Sequence, residues 1–328
     1  MKLCQIGGVW METAGLVRKG DPIAVIGGGL IGISWTALFL AWGHDVALFE
    51  HEERLRRAIP RAVARPIVQV AELMPSLPAP GRLHLAASLE EAVQGAAWIQ
   101  ENVPEKVSLK RVIYAAIEAA APAGTTIASS TSSLVWSELS ADMADPSRLI
   151  TAHPFNPPHL MPLVELFGPD PDRIQAAAAF YRSLGRHPVF LRREAVGHIA
   201  NRLSSALWRE AVNMVAEGIA DVDQIDAALV HGPGLRWSVV GAHMAYHLGG
   251  GAGGMAQYLS HLGPSQERRW QDLGQPRLDA ATCAKLVKGI ASEAGGRDVA
   301  TLEAERDTGL IAVQRALRSL EPGKAGPT

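Results

Sequence analysis

The stretch "PIAVIGGGLIGISWTALFLAWGHDVALFE" (residues 22–50) decides the fold. A short β-branched run from Ile23 to Ile26 leads into three glycines spaced as G-x-G-x-x-G. An apolar helical segment follows, and then a second apolar run that ends at Glu50. The glycine spacing alone is common in loops. In its context of strand, turn, helix and terminal acid, it is typical of the first βαβ unit of a dinucleotide-binding sheet.

This turn also predicts how a dinucleotide is held. The first glycine of the pattern permits the tight turn, the second lets the backbone approach a pyrophosphate, and the third lets the helix pack closely on the strand. The acid at the end of the second strand can accept both ribose hydroxyls, and it would repel a 2′-phosphate, so NAD is predicted rather than NADP. The predicted cofactor-binding residues here are Gly27, Gly29, Leu30, Ile31, Gly32 and Glu50.

Strands and helical segments continue to alternate as far as "HPVFLR" (187–192), which predicts a doubly wound, mostly parallel α/β sheet of the Rossmann type. From about residue 194 the strand signals give way to helical periodicity, as in "GHIANRLSSALWREAVNMVAEGIA" (197–220). The chain is therefore divided into an N-terminal extension (1–20), an NAD-binding domain (21–193) and an all-helical domain (194–328).

Composition excludes several classes of protein. The 328 residues are 48% apolar and 20% charged with a formal charge of −2, as in ordinary soluble globular proteins. No basic tract predicts a nucleic acid or membrane partner, and the longest apolar run, "ISWTALFLAW" (33–42), is too short to span a bilayer. The first twenty residues lack a secretory signal, and two cysteines suit neither a metal site nor a disulfide framework. We expect a cytoplasmic protein without a metal.

A second stretch, "AHPFNPPHLMPLVEL" (152–166), places one acid in an apolar strand. A buried carboxylate is costly unless it is paired, so either this acid reaches solvent at a strand end or it has a partner. If the two strands of the stretch are neighbours, Glu165 can hold one imidazole nitrogen of His153 while the other nitrogen faces a substrate hydroxyl. Because histidine titrates near neutral pH, the pair is predicted to be a general base and its orienting carboxylate.

Four motifs occur in a fixed order: "GGGLIG" (27–32), "SSTSSL" (129–134), "HPFNPP…LVEL" (153–166) and "GHIANRL" (197–203). Together they resemble the 3-hydroxyacyl-CoA dehydrogenase family over residues 22 to about 270. The resemblance implies that His153 is the base for a 3-hydroxyl group and that Glu165 orients it. It also implies that the helical domain forms a homodimer. The other site residues that it implies are Ser132 and Asn201 against substrate, and Asn156 and Glu101 on the cofactor side.

Ser132, Asn201 and the neighbouring His198 could also have purely structural roles. Ser132 could cap the helix that follows it, and Asn201 could be a satisfied polar residue in the core. His198 lies where relatives usually carry an aromatic residue, which favours a packing role over a second base.

The segments "GPGLRWSVVGAHMAYHLGGGAGGM" (232–255) and "GPSQERRW" (263–270) resemble the branch of the family that acts on small, free 3-hydroxy acids. This branch contains L-gulonate 3-dehydrogenase with lambda-crystallin, and L-carnitine dehydrogenase, and the carnitine side is favoured. Arg236 could pair a substrate carboxylate, and Trp237, Tyr246 and Phe155 could cover a quaternary ammonium, although aromatic residues at helical spacing usually fill a core. The alternatives are a 3-hydroxyacyl-CoA dehydrogenase and a crystallin-like, NAD-binding protein without turnover.

Overall fold

A computed structural model describes residues 17–74 and 76–320 in full, and residues 3–6 and 9–12 as backbone. The two N-terminal segments are strands, β1 (Leu3–Ile6) and β2 (Val9–Glu12), which pair with each other in an antiparallel ladder. They form a two-stranded sheet separate from the main one. The sequence analysis predicted no strands in this extension.

The main sheet has eight strands in the order β10-β9-β8-β7-β6-β3-β4-β5. They are β3 (Ile23–Ile26), β4 (Val46–Phe49), β5 (Leu83–Leu85), β6 (Trp98–Glu101), β7 (Thr126–Ser129), β8 (Leu149–Pro154), β9 (Leu163–Phe167) and β10 (His187–Phe190). Neighbouring strands are parallel except for β8 and β9, which are antiparallel. The predicted doubly wound, mostly parallel sheet is confirmed.

Helices cover both faces of this sheet. They are α1 (Leu30–Ala41), α2 (Glu53–Ala62), α3 (Ala64–Leu73), α4 (Leu89–Val93), α5 (Val107–Ala120), α6 (Trp136–Ser140) and α7 (Pro171–Ser183). One apolar layer includes α1 and α7, where Trp35 stacks on Phe39 at 5.5 Å, and the other includes α4 and α5, with Tyr114 fully buried. Since each face of the sheet has its own apolar layer, the strands are buried on both sides.

The strand order reverses next to β3. The chain passes from β3 to β4 on one side, whereas β6 lies on the other side of β3. In sheets of this kind a ligand binds outside the carboxyl ends of the strands at such a switch point. Residues that follow β3, β4, β6, β7 and β8 are therefore the ones positioned to form a site.

The chain folds as two compact units. The first contains the residues up to Arg202 together with Leu310–Arg315, and the second contains Leu203–Gly309 together with the residues from Ala316 onward. The remaining helices are α8 (Ala200–Glu217), α9 (Val222–His231), α10 (Pro233–Trp237), α11 (Ala242–Gly249), α12 (Gly254–Asp272), α13 (Ala280–Ala294) and α14 (Val299–Ser319). The helical C-terminal region is confirmed, and the domain limits at 20/21 and 193/194 stay predictions.

Across the parts of the chain that the structure describes, no helix is both long enough and apolar enough to cross a bilayer.

Candidate active site

The three glycines of the G-x-G-x-x-G pattern, Gly27, Gly29 and Gly32, are constrained in different ways. Gly27 has φ of +96°, and a Cβ there would lie 2.9 Å from the carbonyl carbon and oxygen of Asn102. A Cβ on Gly32 would collide with the carbonyl oxygen of Gly27. A Cβ on Gly29 would meet no protein atom within 4 Å, although Gly29 is the N-cap of α1. The protein's own packing therefore requires the outer two glycines, while Gly29 leaves open space where a helix N-terminus favours a phosphate.

Glu50 lies just beyond the end of β4, almost fully buried. Its Oε2 accepts the N–H of Gly28 at 2.7 Å, and its Oε1 accepts the N–H of Glu52 at 2.9 Å. These two bonds fix the carboxylate beside the glycine turn. Oε1 also lies 3.0 Å from Nδ1 of the exposed His51, whereas Oε2 keeps a lone pair for a ribose hydroxyl. The open space at Gly29 and the fixed carboxylate together fit an NAD molecule.

A cavity of about 510 Å³ lies at the carboxyl edge of the sheet. It contains six of the predicted site residues, namely Ile31, Ser132, His153, Phe155, Asn156 and Asn201. Four polar residues that were not predicted from the sequence also line it, namely Asn102, Glu105, Ser130 and Lys110. Asn102 and Ser130 directly follow the ends of β6 and β7, and Glu105 lies in the loop after β6, so their place at the predicted ligand edge was the available signal.

His153 and Glu165 face each other across the antiparallel ladder of β8 and β9. The Nδ1 of His153 lies 2.7 Å from Oε2 of Glu165, whose side chain is 0% exposed. The other oxygen, Oε1, accepts the N–H groups of Ile199 at 2.7 Å and Ala200 at 3.0 Å. The alternative of an acid that reaches solvent is therefore wrong. Because an ionised carboxylate only accepts, Nδ1 carries the hydrogen and Nε2 keeps its lone pair.

Glu165 stays ionised in this position. Burial by itself would raise its pKa, but the hydrogen bond from His153 and the backbone bonds from Ala200 and Ile199 outweigh burial and lower the pKa. The carboxylate can therefore orient His153 throughout the neutral pH range.

Asn201 brings two parts of the cavity together. Its Nδ2 donates to the carbonyl oxygen of Ser132 at 3.2 Å and lies 3.4 Å from Nε2 of His153. It lines the cavity and is only half-buried, so it is not a satisfied core residue. Ser132 does not cap the next helix either, since Val135 is the N-cap of α6.

Glu105 organises the loop that contains Ser132. Its Oε1 accepts the N–H groups of Ser132 at 2.7 Å and Ser133 at 2.8 Å, and the hydroxyl of Thr131 at 2.7 Å. Burial alone would raise the pKa of Glu105, but these hydrogen bonds and the charge of Lys110 lower it to about 2. An ionised carboxylate therefore holds the exit loop of β7 at the cavity wall.

The prediction that Glu101 contacts the cofactor is wrong for its side chain. The residue is 0% exposed, and its carboxylate accepts four groups, each at 2.7 Å. The donors are the N–H of Val103, Nζ of Lys110 and the hydroxyls of Tyr114 and Ser129. With all its acceptor positions taken, Glu101 braces the corner between β6 and α5 instead of reaching a ligand.

The predicted substrate residues are divided between the two units. Phe155 lines the cavity of the first unit, whereas Arg236 and Trp237 lie on α10 and Tyr246 lies on α11 in the second unit. Trp237 and Tyr246 are each 40% exposed, so neither serves only to fill a core. Their contacts with substrate stay predictions.

Comparison with known proteins places these observations in a family. The sequence profile of the NAD binding domain of 3-hydroxyacyl-CoA dehydrogenase matches residues 22–195, and that of its C-terminal domain matches residues 197–286. L-carnitine dehydrogenase from Streptomyces griseus subsp. griseus is 46% identical over 301 residues, or 90% of this chain and 89% of that protein. L-carnitine dehydrogenase from Pseudomonas aeruginosa is 41% identical over 307 residues, or 92% and 95%.

Solved structures agree on the fold. A 5-formyl-3-hydroxy-2-methylpyridine 4-carboxylic acid 5-dehydrogenase, described as an NAD⁺ dependent dismutase, aligns with a TM-score of 0.79 and 26% identity over 92% of this chain and 99% of that chain. FadB2 from M. tuberculosis aligns with a TM-score of 0.59 and 24% identity, over 66% of this chain and 79% of that chain.

Proposed function

Because this chain belongs to the 3-hydroxyacyl-CoA dehydrogenase family and is an NAD-dependent dehydrogenase, we propose that it oxidises the 3-hydroxyl of a small, free 3-hydroxy acid. We favour L-carnitine-like substrates over L-gulonate-like ones, because relatives that are 46% and 41% identical to this chain are L-carnitine dehydrogenases. The observation that carries the proposed chemistry is the 2.7 Å contact of His153 with Glu165, together with the cavity position of His153.

In this reaction His153 is the general base. Its Nδ1–H stays hydrogen-bonded to the carboxylate of Glu165. The lone pair on Nε2 therefore faces the cavity and takes the hydroxyl proton of the substrate. The ionised Glu165 then stabilises the imidazolium that forms, as the acid of a catalytic triad does. Loss of that proton places negative charge on the substrate oxygen. This charge is neutralised as the same oxygen becomes the carbonyl oxygen of the product.

Two further groups orient the substrate oxygen. The Nδ2 of Asn201 already lies 3.4 Å from Nε2 of His153, so it can donate to an oxygen bound between them. The hydroxyl of Ser132 lies at the cavity wall and donates to Oε1 of Glu105 at 3.2 Å, so its O–H would have to rotate away from that carboxylate to serve as a second donor to the substrate oxygen. Both are fixed before substrate arrives, which reduces the cost of reaching the reactive arrangement.

NAD⁺ supplies the chemistry that the side chains lack, which is acceptance of a hydride from the substrate carbon. The open backbone at Gly29 would take the pyrophosphate and Glu50 the ribose hydroxyls, with Leu30, Ile31 and Asn156 beside them. A protein in which Glu50 is replaced by alanine is expected to bind NAD more weakly.

For the substrate's other groups, we propose that Arg236 pairs its carboxylate and that Phe155, Trp237 and Tyr246 cover a quaternary ammonium. A homodimer and a cytoplasmic location belong to the same proposal. The competing substrate class is a 3-hydroxyacyl-CoA thioester, which the names of the matching family profiles favour.

The proposed function is tested by NADH formation with the purified chain. L-Carnitine, L-gulonate, 3-hydroxybutyrate and 3-hydroxybutyryl-CoA are compared by kcat/KM, with NADP⁺ in place of NAD⁺ as the cofactor control. L-Carnitine is expected to give the highest kcat/KM, by about 10- to 200-fold, which is the range over which a binding pocket discriminates against a substrate that fits it less well. Turnover of the thioester alone, or of no substrate, would refute the proposal.

A further inference from the structure

The chain enters α8 through a left-handed turn. Gly197 has φ of +75° and His198 has φ of +50°, and His198 is the one non-glycine residue with a positive φ in the part of the chain that the structure describes. Histidine is among the few types that adopt this conformation with any frequency. Immediately after the turn, the N–H groups of Ile199 and Ala200 both point to Oε1 of Glu165. Consecutive N–H groups of this kind form a concave binding place for an anion.

The side chain of His198 reaches two other parts of the same site. It is buried, its Nε2 lies 3.0 Å from the carbonyl oxygen of Thr131, and its ring centroid lies 4.9 Å from that of His153. Since a carbonyl oxygen only accepts, Nε2 carries a hydrogen. Burial, followed by the neighbouring charge of His153, lowers the pKa of His198, while Glu165 and Glu105 act in the opposite direction. The net effect favours a neutral ring beside the base.

We propose that His198 is a positioning residue for the His153 base, an inference that rests on the proposed function. Its backbone directs two N–H groups to Glu165, its ring packs on His153, and its Nε2–H holds Thr131, next to Ser132. One residue thus connects Glu165, His153 and the loop of Ser132, the first through its backbone turn and the other two through its side chain.

Two substitutions separate these contacts. His198→Phe keeps an aromatic ring against His153 but leaves the Thr131 carbonyl without its donor. His198→Asn tolerates the left-handed backbone but removes the ring. His84→Asn is the matched control, because His84 lies on the edge strand β5 and bonds only to the exposed Glu91 among the contacts that the structure gives it.

Each variant is assayed for kcat, KM and the Kd of NAD, with the most active of the four substrates, and for thermal unfolding. Both His198 variants are expected to lose about 10- to 100-fold in kcat, because small misplacements of a base are costly, with KM and the Kd of NAD within about twofold. His84→Asn should match the wild-type protein in every measurement.

A wild-type kcat in either His198 variant would overturn the inference. So would a fall in kcat accompanied by equal losses of NAD affinity and folded protein, since that pattern marks a purely structural role. Failure of the proposed function gives a different result: a wild-type protein without turnover, or a His153→Asn variant with full turnover.

Discussion

At the scale of single residues, glycine is required at two positions of the turn for different reasons, one within the protein and one at the cofactor. Gly32 is required by the carbonyl of Gly27, whereas Gly29 faces open space. The protein therefore has no steric reason of its own for glycine at position 29. A bound pyrophosphate would provide one, because a methyl group there would hold it away from the backbone.

Alanine substitutions are expected to separate these two reasons. Gly29→Ala should raise the Kd of NAD at least about tenfold while the melting temperature changes little, since its Cβ meets no protein atom. Gly32→Ala should lower the melting temperature or prevent folding, because its Cβ has no room. NAD titration and thermal unfolding of the two variants check this. Normal NAD affinity in Gly29→Ala would contradict the cofactor assignment.

Glu165 uses both of its oxygens as acceptors. One takes His153 and the other takes two backbone N–H groups. In Glu165→Gln only one oxygen accepts, so the amide nitrogen faces a donor whichever way the group turns. We expect kcat to fall by about 10²- to 10⁴-fold, as when the acid of a catalytic triad becomes an amide, with the Kd of NAD unchanged. Steady-state kinetics with the active substrate measures this, and an unchanged kcat would exclude an orienting role.

At the scale of elements, the loop after β7 is held by an ionised carboxylate from the segment after β6. Glu105 has a pKa of about 2 in the folded chain against an ordinary value of 4.5. A carboxyl group with a lowered pKa stabilises the fold above its ordinary pKa, and that contribution is lost as the pH falls through the folded value. The loop should therefore loosen in acid.

The substitution Glu105→Gln isolates this contribution. The wild-type protein should have the larger free energy of unfolding at pH 6, and the difference from Glu105→Gln should shrink progressively between pH 4.5 and about 2. Urea denaturation at pH 6, 4.5 and 3 gives the two curves. A difference that is the same at all three pH values would show that Glu105 does not titrate in this way.

Local patterns were sufficient to predict the elements of the sheet. The β-branched run at Ile23–Ile26 is a strand with the same limits in the structure, and the apolar segment after the glycine turn is the helix α1. The pairing of His153 with Glu165 was one of two alternatives that the residues left open; it required the two strands to be neighbours, as they are in the structure. These features depend on neighbours in the chain or on one short connection.

Contacts between distant segments could not be predicted. Nothing local indicates that Lys110 lies 2.7 Å from Glu101 inside the protein, and the assignment of Glu101 to the cofactor side rests on the family resemblance alone. The bond of His198 to Thr131 likewise joins residues that are 67 positions apart in the chain, and nothing local indicates the left-handed backbone of His198. Such contacts are set by packing of the whole sheet, and the sequence was informative about them only through the family resemblance.

At the scale of the whole molecule, the helical unit exposes much apolar surface. One buried cluster of this unit contains only Val215, Val222 and Ile225. Large exposed apolar side chains of the same unit include Leu203, Trp208, Ile219, Val230, Leu235, Val239, Met244, Leu248, Leu259, Trp270, Val287 and Ile290. Exposed apolar surface of this extent favours association with another protein. We predict that this protein is a second copy of the chain.

We expect the chain to form a homodimer at micromolar concentration. Sedimentation equilibrium over a range of concentrations should give twice the 34.9 kDa mass of the chain. Apolar burial between subunits supplies the stability, so moderate salt should have little effect on the mass. A mass of 34.9 kDa at every concentration would show that the chain is a monomer and would contradict the homodimer prediction.

The central claim is that His153, oriented by Glu165, removes the hydroxyl proton of the substrate. The most direct test is the turnover of His153→Asn, which keeps a polar side chain but cannot take up a proton at neutral pH. If His153 is the general base, kcat should fall by about 10²- to 10⁴-fold, which is the usual contribution of such a base. The Kd of NAD should stay within about twofold of the wild-type value. A kcat within about threefold of the wild-type value would contradict it.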